Sequence, residues 1–422
     1  MWLQRFFSHR SRMMLSLFII STIHMVAFGM AQYPSGFFIT NISHKMHLSL
    51  MALLDVSVII MALYNQKLTR KFGVKKVLLG GLGFYFLGLV LFFISQFSSG
   101  SIVFASFFLI LGMIVCGIAF STAFIALVTY LVLGSPKSLE MSITALFAFV
   151  NIGAMLSPLV MHYLTSWDAQ TFFLIFVESL ILFSIIFIYE YFVDPSFPAH
   201  LQKFRRPTLI WRELHYRFFL FVVMIMLYSI CESTLNVWGA KFLGFFLHPG
   251  TVSWMVAIFW LFLIIGQFLM LIPLYFFATR GVFFFLLFLL VLVLISLPVQ
   301  TEWVGFVSRL ALGGVACSAV SPILISMLEE ELREVQHTSY FHLRILPYFE
   351  MGIAWIIMGY FASNGMIALA SEMIILPTKE VVQQQFVYAM IAAILMLPIT
   401  IFLSISLHRK RKKRKILNLD EI

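Results

Sequence analysis

Apolar stretches of about 20 residues recur from one end of this chain to the other. A bilayer core about 30 Å thick requires about 20 apolar residues for each helical crossing, so each stretch is long enough to span a membrane. Of the 422 residues, 62% are hydrophobic and only 11% are charged, whereas a soluble domain carries roughly 25% charged residues. Most of the exterior must therefore face lipid, and the sequence predicts an all-α membrane protein.

The hydrophobic pattern predicts twelve transmembrane helices in two sets of six. The first set covers residues 13–33, 47–66, 74–96, 102–131, 140–163 and 170–192, and the second covers 217–242, 251–277, 281–298, 303–328, 338–362 and 383–407. The predicted organisation is an N-terminal six-helix bundle at 1–192, a basic linker at 193–216, a C-terminal six-helix bundle at 217–407 and a basic tail at 408–422. Pseudo-repeats of this kind enclose a central cavity with the substrate site near the bilayer midplane.

Basic residues are concentrated in alternate connections between the predicted helices. If the N-terminus is inside, the outer loops hold only Lys45, Lys241 and Lys379. The positive-inside rule then places both termini in the cytoplasm. The same asymmetry explains the net charge of +10 without a nucleic-acid partner. The basic tail from Arg409 to Lys415 is predicted to contact anionic lipid headgroups, and the short loops suit a bacterial inner membrane.

The sequence lacks the motifs of soluble enzymes and of metal proteins. It contains no P-loop, no HExxH, no CxxC and no G-x-S-x-G. Cys116, Cys231 and Cys317 lie inside apolar runs at no metal-ligand spacing and are predicted to be core residues. We therefore expect a protein that is not an enzyme, that has no metal and no cofactor, and that acts as a monomer.

A basic segment centred on a glycine connects the second and third predicted helices. It resembles a loop of the major facilitator superfamily that reads roughly G-x-L-A-D-R-x-G-R-K. The matching residues are Lys71, Gly73, Lys75 and Lys76. Arg70 stands where the family usually has the aspartate that pairs neighbouring helix ends, and Gln66 replaces the first glycine. The resemblance implies a transporter in which Arg70, Lys71, Gly73, Lys75 and Lys76 form a gating loop.

Three further segments are similar to this family. Asn151 and Gly153 precede Pro158 as in its glycine-proline fifth helix, and Arg309 precedes Gly313-Gly314 as in an arginine-glycine motif of its fourth helix. A narrower resemblance is to the fucose-permease-like branch, which often has an acid, a tryptophan, an FW pair and a G-R pair in the seventh and eighth helices. The corresponding residues are Glu232, Trp238, Phe259-Trp260 and Gly266-Gln267, with Gln267 in place of the arginine.

Polar and ionisable residues inside the predicted spans point to the functional path. A charge at the bilayer centre costs about 2.5–3.5 kcal/mol on insertion scales, so such residues normally face a cavity or a partner. The candidates for a substrate and proton pathway are His24, Asp55, Asn151, Glu232, Trp238, Trp260, Arg309 and Glu350. Glu178 also lies in a span, but close to its outer end, where a structural role is favoured.

Glu232 is the best candidate for proton coupling, because it lies about 15 residues, or roughly 22 Å, into its predicted helix. A structural acid bonded to a neighbouring helix is the alternative. Glu350 and Arg309 could form one buried charge pair or hold opposite ends of a zwitterionic solute. Glu350 precedes Gly352 as Asn151 precedes Gly153 in a weak internal repeat, which favours a site role for Glu350.

The predicted function is secondary active transport of a small polar solute across a bacterial inner membrane by alternating access, coupled to protons. Two alternatives remain open at this stage. One is an exporter of a metabolite, a siderophore or a drug with the same fold. The other is a membrane sensor or scaffold that does not transport.

Overall fold

The computed structural model describes residues 9–31, 44–98, 101–134, 139–164, 167–191, 208–300, 302–336, 346–373 and 378–419. Within these ranges the chain forms helices and short connections and no β-strand. The described residues include twelve helices that are long and apolar enough to cross a membrane. The predicted all-α membrane fold with twelve spanning helices is confirmed.

The helices follow one another along the chain with short connections. The first six are α1 (His9–Ala31), α2 (His44–Phe72), α3 (Val74–Phe97), α4 (Ile102–Gly134), α5 (Leu139–Tyr163) and α6 (Trp167–Tyr191). The seventh span comprises α7a (Thr208–Ser233), a π-helical segment (Thr234–Trp238) and α7b (Gly239–Leu243). The remaining helices are α8 (Pro249–Phe276), α9 (Thr279–Ser296), α10a (Trp303–Cys317), α10b (Val320–Gln336), α11 (Leu346–Met373) and α12 (Lys379–Leu419).

Several helices extend beyond the apolar windows that predicted them. Helix α2 continues to Phe72 instead of ending at residue 66, and α12 continues to Leu419. Hydropathy marks the lipid-facing length of a helix, whereas Lys, Arg and Gln continue its hydrogen-bonded backbone at little cost. Helix α11 continues through Asn364-Gly365 and ends at Met373 rather than at residue 362. The predicted start of this helix, at 338–345, lies outside the described residues.

The basic segment around Gly73 is nearly all helical. Helix α2 ends at Phe72 and α3 begins at Val74, so Gly73 alone makes the connection. Its backbone has φ 82° and ψ 156°, a region that is essentially restricted to glycine. The Gly73 N–H donates to the Thr69 carbonyl at 2.9 Å, which satisfies a terminal carbonyl of α2. A single glycine therefore sets the turn between the second and third spans.

Replacing Gly73 by alanine is expected to destabilise the fold by about 1–3 kcal/mol, because an L side chain is strained at this φ. The matched control is Gly80→Ala in the following helix α3, where an added Cβ would meet no heavy atom within 4 Å. Thermal unfolding in detergent measures both variants. Equal transition temperatures for the two would contradict the assignment of strain to Gly73.

The helices group into two compact units. The first consists of Met1–Pro207 with Thr338–Gly365, and the second consists of Thr208–His337 with Met366–Ile422. Most of α11 is therefore part of the first unit, together with α1 to α6. The predicted division into bundles at 1–192 and 217–407 follows chain order and remains a prediction.

Small residues allow close helix packing inside each unit. In the first unit, a Cβ added to Gly153 of α5 would lie 2.4 Å from the Thr22 carbonyl oxygen of α1. In the second, a Cβ added to Gly314 of α10a would lie 2.3 Å from the Phe259 carbonyl oxygen of α8. Membrane helices associate through such contacts because lipid tails provide no hydrophobic driving force between helices.

Candidate functional site

Glu232 lies at the end of α7a, where the helix changes its hydrogen-bonding pattern. The side chain is buried, with 7% of its surface exposed. After Ser233, residues Thr234–Trp238 form a π-helical segment, and the α-helix resumes at Gly239. Such π segments are rare inside α-helices and are frequent at functional sites, because they break the regular backbone ladder. The irregular backbone therefore begins directly after the buried acid.

A second interruption lies next to Glu232, in the tenth span. Helix α10a ends at Cys317 and α10b begins at Val320. The Tyr228 hydroxyl, one turn before Glu232, donates to the Cys317 carbonyl at 3.0 Å, and Glu232 lies within electrostatic range of the Cys317 side chain. Membrane helices tolerate such interruptions where side chains satisfy the freed backbone groups. Two interrupted helices are thus bonded to each other one turn before Glu232.

The eighth span adds Trp260 to this region of the second unit. The Trp260 indole Nε1 donates to the Asn236 side-chain oxygen at 3.3 Å, so α8 is bonded to the π-helical segment. Farther along α8, a Cβ added to Gly266 would lie 2.8 Å from the Cβ of Ser318, at the interruption of the tenth span. The neighbouring Gln267 is buried, and its Oε1 has no hydrogen-bond partner among the described residues.

Trp238 ends the π-helical segment and is fully buried. The Lys241 ammonium lies 5.1 Å from the centroid of its ring, within the range of a cation–π interaction. Lys241 also donates to the Ser371 carbonyl. Within the described part of the chain, the Trp238 indole nitrogen has no hydrogen-bond partner. Trp238 therefore combines a ring face in contact with a cation and an unused donor.

Glu350 belongs to the first unit and is buried, with 2% of its surface exposed. Thr129 Oγ1 of α4 lies 3.5 Å from Glu350 Oε1. Thr69 and Arg70 of α2 also lie near this carboxyl group. Glu350 therefore connects α11 to α2 and α4 at the end of α2 that leads into Gly73.

Asp55 contacts the other end of the same helix pair. It is half-buried on α2, and a Cβ added to Gly365 of α11 would lie 3.1 Å from Asp55 Oδ2. Asp55 precedes Thr69 by 14 residues, and Glu350 precedes Gly365 by 15. At 1.5 Å per residue, the two contacts lie about 21 Å apart along each helix, so α2 and α11 run antiparallel. Two carboxylates thus mark the two ends of this helix contact.

His24 is enclosed by aromatic rings in the first unit. Its ring lies 5.2 Å from the Tyr85 and Phe120 rings and 6.2 Å from the Phe124 ring, measured between centroids. The side chain is fully buried, and neither ring nitrogen has a hydrogen-bond partner in the described ranges. His24 therefore belongs to a different unit from Glu232 and has aromatic surroundings.

Arg309 and Asn151 complete the predicted pathway residues. Arg309 lies in the second turn of α10a, and its Nη1 donates to the Gly305 carbonyl of the same helix at 2.8 Å. Arg309 belongs to the second unit and Glu350 to the first. Asn151 is half-buried on α5, two residues before the close approach of Gly153 to α1. The Arg309 guanidinium thus bonds to its own helix, as expected for a side chain that fixes that helix.

The basic residues of the predicted gating loop flank Gly73 on two helices. Arg70, Lys71 and Lys76 are exposed. Lys75 Nζ donates to the Tyr189 carbonyl at 3.0 Å and lies 5.7 Å from the centroid of the Tyr189 ring. A lysine at a helix C-terminus satisfies terminal carbonyls and complements the helix dipole. Lys75 therefore links the start of α3 to the end of α6 through this hydrogen bond.

The sequence profile of the Major Facilitator Superfamily matches residues 2–341 of this chain. The chain belongs to the Major Facilitator Superfamily. This confirms the family resemblance drawn from the Gly73 segment and from the two-times-six pattern of helices. Among the described residues of this superfamily member, no three His, Cys, Asp or Glu side chains lie together in a way that could hold a metal ion.

Solved structures of other transporters share the fold. The superfamily transporter FucP in its outward conformation is 14% identical, with a TM-score of 0.68 over 92% of this chain and 99% of that chain. A variant of the fucose:proton symporter FucP of E. coli is 13% identical, with a TM-score of 0.67 over the same shares of both chains. A bacterial homologue of the iron transporter ferroportin, with soaked iron, is 11% identical, with a TM-score of 0.69 over 92% and 98%. No curated protein matches the sequence significantly.

Several residues of the candidate site escaped the sequence analysis of this superfamily member. Asn236, Tyr228 and Thr129 bond to predicted site residues or to the backbone beside them, and Thr69 lies near Glu350. A cluster of polar residues inside the apolar seventh helix could have indicated an irregular backbone there. These residues are Ser229, Glu232, Ser233, Thr234 and Asn236. The threonines carried no comparable signal, because a threonine in a membrane helix commonly bonds to its own helix.

Proposed function

We propose that this superfamily member is a secondary active transporter that moves a small polar solute by alternating access, coupled to proton movement through Glu232. The observation that carries the proposal is the position of Glu232 on an interrupted helix, two residues before its π-helical segment and one turn after the bond from Tyr228 to the interrupted tenth span. In secondary transporters, discontinuous helices form the sites of substrate and coupling ion. A buried carboxyl group at such a point can exchange a proton with either side of the membrane as access alternates.

The groups around Glu232 support a polar solute with a ring or extended apolar face. Asn236 and Gln267 supply amide groups, Trp238 supplies an indole ring with an unused N–H donor, and Trp260 supplies a second indole ring. Sites of this kind are largely apolar and fix a ligand with a few polar groups. Asn151, Arg309, Glu350, Asp55 and His24 remain proposed members of the pathway, and Arg70, Lys71, Gly73, Lys75 and Lys76 remain the proposed gating loop.

The placement of Lys and Arg supports a membrane orientation with both termini in the cytoplasm of a bacterial cell. In that orientation the Gly73 turn faces the cytoplasm and the basic tail meets anionic headgroups. The proposed transporter acts as a monomer in the inner membrane.

The structural neighbours support a transport function for this protein but do not identify its solute. One of them is a fucose:proton symporter and another is a homologue of an iron transporter, so one fold carries chemically different solutes. Identities of 11–14% give no basis for transferring either cargo. The buried carboxyl, amide and indole groups favour a polar organic solute here, and both import and export use the same site.

Thermal stabilisation of the purified protein in detergent tests the proposal and finds the solute class. The panel comprises monosaccharides, amino acids, dicarboxylates and siderophores, each at two values of pH. A ligand that binds the folded state stabilises it by mass action, by about 2.7 kcal/mol at a concentration 100 times its Kd. We expect one class to raise the transition temperature in a manner that depends on pH. A flat panel at both values of pH would contradict a small-solute transporter and favour the scaffold.

A further inference from the structure

The end of the seventh span holds a lysine against a buried tryptophan. Lys241 is half-buried in α7b, and its Nζ lies 5.1 Å from the centroid of the Trp238 ring. The Trp238 side chain is fully buried, and its indole Nε1 has no hydrogen-bond partner in the described part of the chain. A buried donor without an acceptor costs free energy comparable to a lost hydrogen bond. This end of the span therefore carries an N–H group that an incoming acceptor would satisfy.

A second lysine lies on aromatic rings at the start of α12, in the same unit. Lys379 is the first residue of α12 and is half-buried. Its Nζ lies 5.7 Å from the centroid of the Phe242 ring and 5.2 Å from that of the Phe246 ring. A helix N-terminus carries a partial positive charge, so a cation is electrostatically disfavoured there. The rings attract the ammonium group, but they carry no charge and do not neutralise it.

The two lysines lie on consecutive turns of the seventh span. Trp238 and Phe242 are four residues apart in one helix, which separates them by about 6 Å along its axis. The acids that the structure describes at this end of the second unit are Glu302 and Glu380. Both are exposed, so water and salt screen their charges. The aromatic rings of the seventh span therefore hold two half-buried cations close to each other.

The polar groups assembled here all donate hydrogen bonds and cannot accept them. They are the ammonium groups of Lys241 and Lys379 and the indole N–H of Trp238. An ionised carboxylate has the opposite character, because it only accepts, and its bonds to ammonium groups are charge-assisted and strong. A hydroxyl or amide group would bring donors that find no acceptor among these three groups, which weakens binding. The set therefore selects a carboxylate over an uncharged polar group.

We propose that this end of the second unit binds the carboxylate group of an organic anion, and that the solute of the proposed transporter belongs to this class. The carboxylate accepts from the Lys379 ammonium and from the Trp238 N–H, and the Lys241 charge adds to the attraction. The exposed ring of Phe246 contacts the carbon skeleton, which an inorganic anion lacks. Trp238 follows Glu232 by six residues on the same span, so one interrupted helix holds both the solute and the proton.

The inference rests on the proposed function for the movement of the solute, but its binding is measured separately. A carboxylate that binds at these residues but does not enter vesicles would support the site and contradict the transporter. An uncharged compound that is transported, with no carboxylate bound, would overturn the site and leave the transporter. The two failures are therefore distinguishable.

Thermal unfolding of the full-length protein in detergent tests the site with acids and their uncharged amides at about pH 7.5, where carboxylates are ionised and lysines protonated. The pairs are acetate and acetamide, lactate and lactamide, succinate and succinamide, and benzoate and benzamide, with inorganic phosphate as an anion without a carbon skeleton. A bound ligand raises the transition temperature by mass action. We expect at least one acid to raise it while its amide does not. Equal effects of acid and amide in every pair would overturn the proposal, and so would an equal effect of phosphate and the best acid.

Variants decide whether these residues form the site. Lys379→Gln is expected to weaken the apparent affinity for the best acid about tenfold or more, the factor that follows from losing a hydrogen bond to a charged group. Trp238→Phe, which keeps an aromatic ring but removes the N–H, is expected to weaken it about fivefold. Lys67→Gln is the matched control and should bind as the original protein does, because Lys67 Nζ lies 4.8 Å from the centroid of the Tyr64 ring in the first unit. Equal affinities of Lys379→Gln and Lys67→Gln would overturn the proposal. If Trp238→Phe does not fold, this comparison alone gives the decision.

Discussion

Glu232→Gln is expected to reduce proton-coupled solute flux to the background of empty vesicles while the protein still folds and inserts. Glutamine keeps the shape and hydrogen-bonding capacity of the side chain but cannot take up and release a proton. Because the π-helical segment and the interruption in the tenth span hold their own hydrogen bonds, they do not depend on the charge. Proteoliposomes with a pH-sensitive dye measure proton movement on addition of the solute that the stabilisation panel identifies.

Glu178→Gln is the matched control for this measurement. Glu178 is another carboxyl group inside a spanning helix, but it lies on α6, outside the unit that contains Glu232. The control is expected to transport at the original rate. Proton movement that survives in Glu232→Gln would show that the coupling carboxyl group lies elsewhere, whereas solute movement without protons would show that Glu232 couples but does not bind the solute.

The largest expected loss of stability follows from Gly314→Ala. The added Cβ would lie 2.3 Å from the Phe259 carbonyl oxygen and 2.9 Å from the Leu263 backbone nitrogen. Both are backbone atoms of α8, so a rotamer change cannot relieve the clash and the two helices must separate. Overpacking of this kind typically costs about 1–3 kcal/mol and occasionally more, and contact with backbone places this site at the upper end.

Gly281→Ala in the same unit provides the comparison, because an added Cβ there meets no atom within 4 Å. Thermal unfolding in detergent should show a large decrease in transition temperature for Gly314→Ala and almost none for Gly281→Ala. Since α8 carries Trp260 and α10a leads to Cys317, the pH-dependent binding of the solute should also weaken in Gly314→Ala. Equal stability of the two variants would contradict the close α8–α10a contact.

The departure from the family pattern at Arg70 has a structural counterpart on α11. The family usually pairs neighbouring helix ends through an aspartate at this position, and this chain has arginine instead. Glu350 of α11 lies near Arg70, so this chain brings an acid from a distant helix to the helix end where it has the arginine. Conservation of charge at the single position would not reveal this arrangement, because the partner lies 280 residues later in the chain.

The sequence by itself determined that this is a helical membrane protein with twelve spans, because the apolar length needed to cross a bilayer is a local property of the chain. It also marked Glu232, Glu350, Asp55 and His24, because the cost of burying ionisable groups in lipid makes each of them conspicuous. Their partners depended on which helices pack together. The bond of Tyr228 to Cys317 spans 89 residues, and the contact of Thr129 with Glu350 spans 221.

The interruptions in the seventh and tenth spans were likewise decided by the tertiary structure. Hydropathy is the same for an α-helix, a π-helix and a helix broken at Ser318, since it records composition and not the backbone hydrogen bonds. The Tyr228 hydroxyl and the amide of Asn236 stabilise these irregular segments only when α7a, α8 and α10a lie side by side. The sequence thus established that the chain lies in a membrane, and the packing of helices distant in sequence established which groups surround its buried acids.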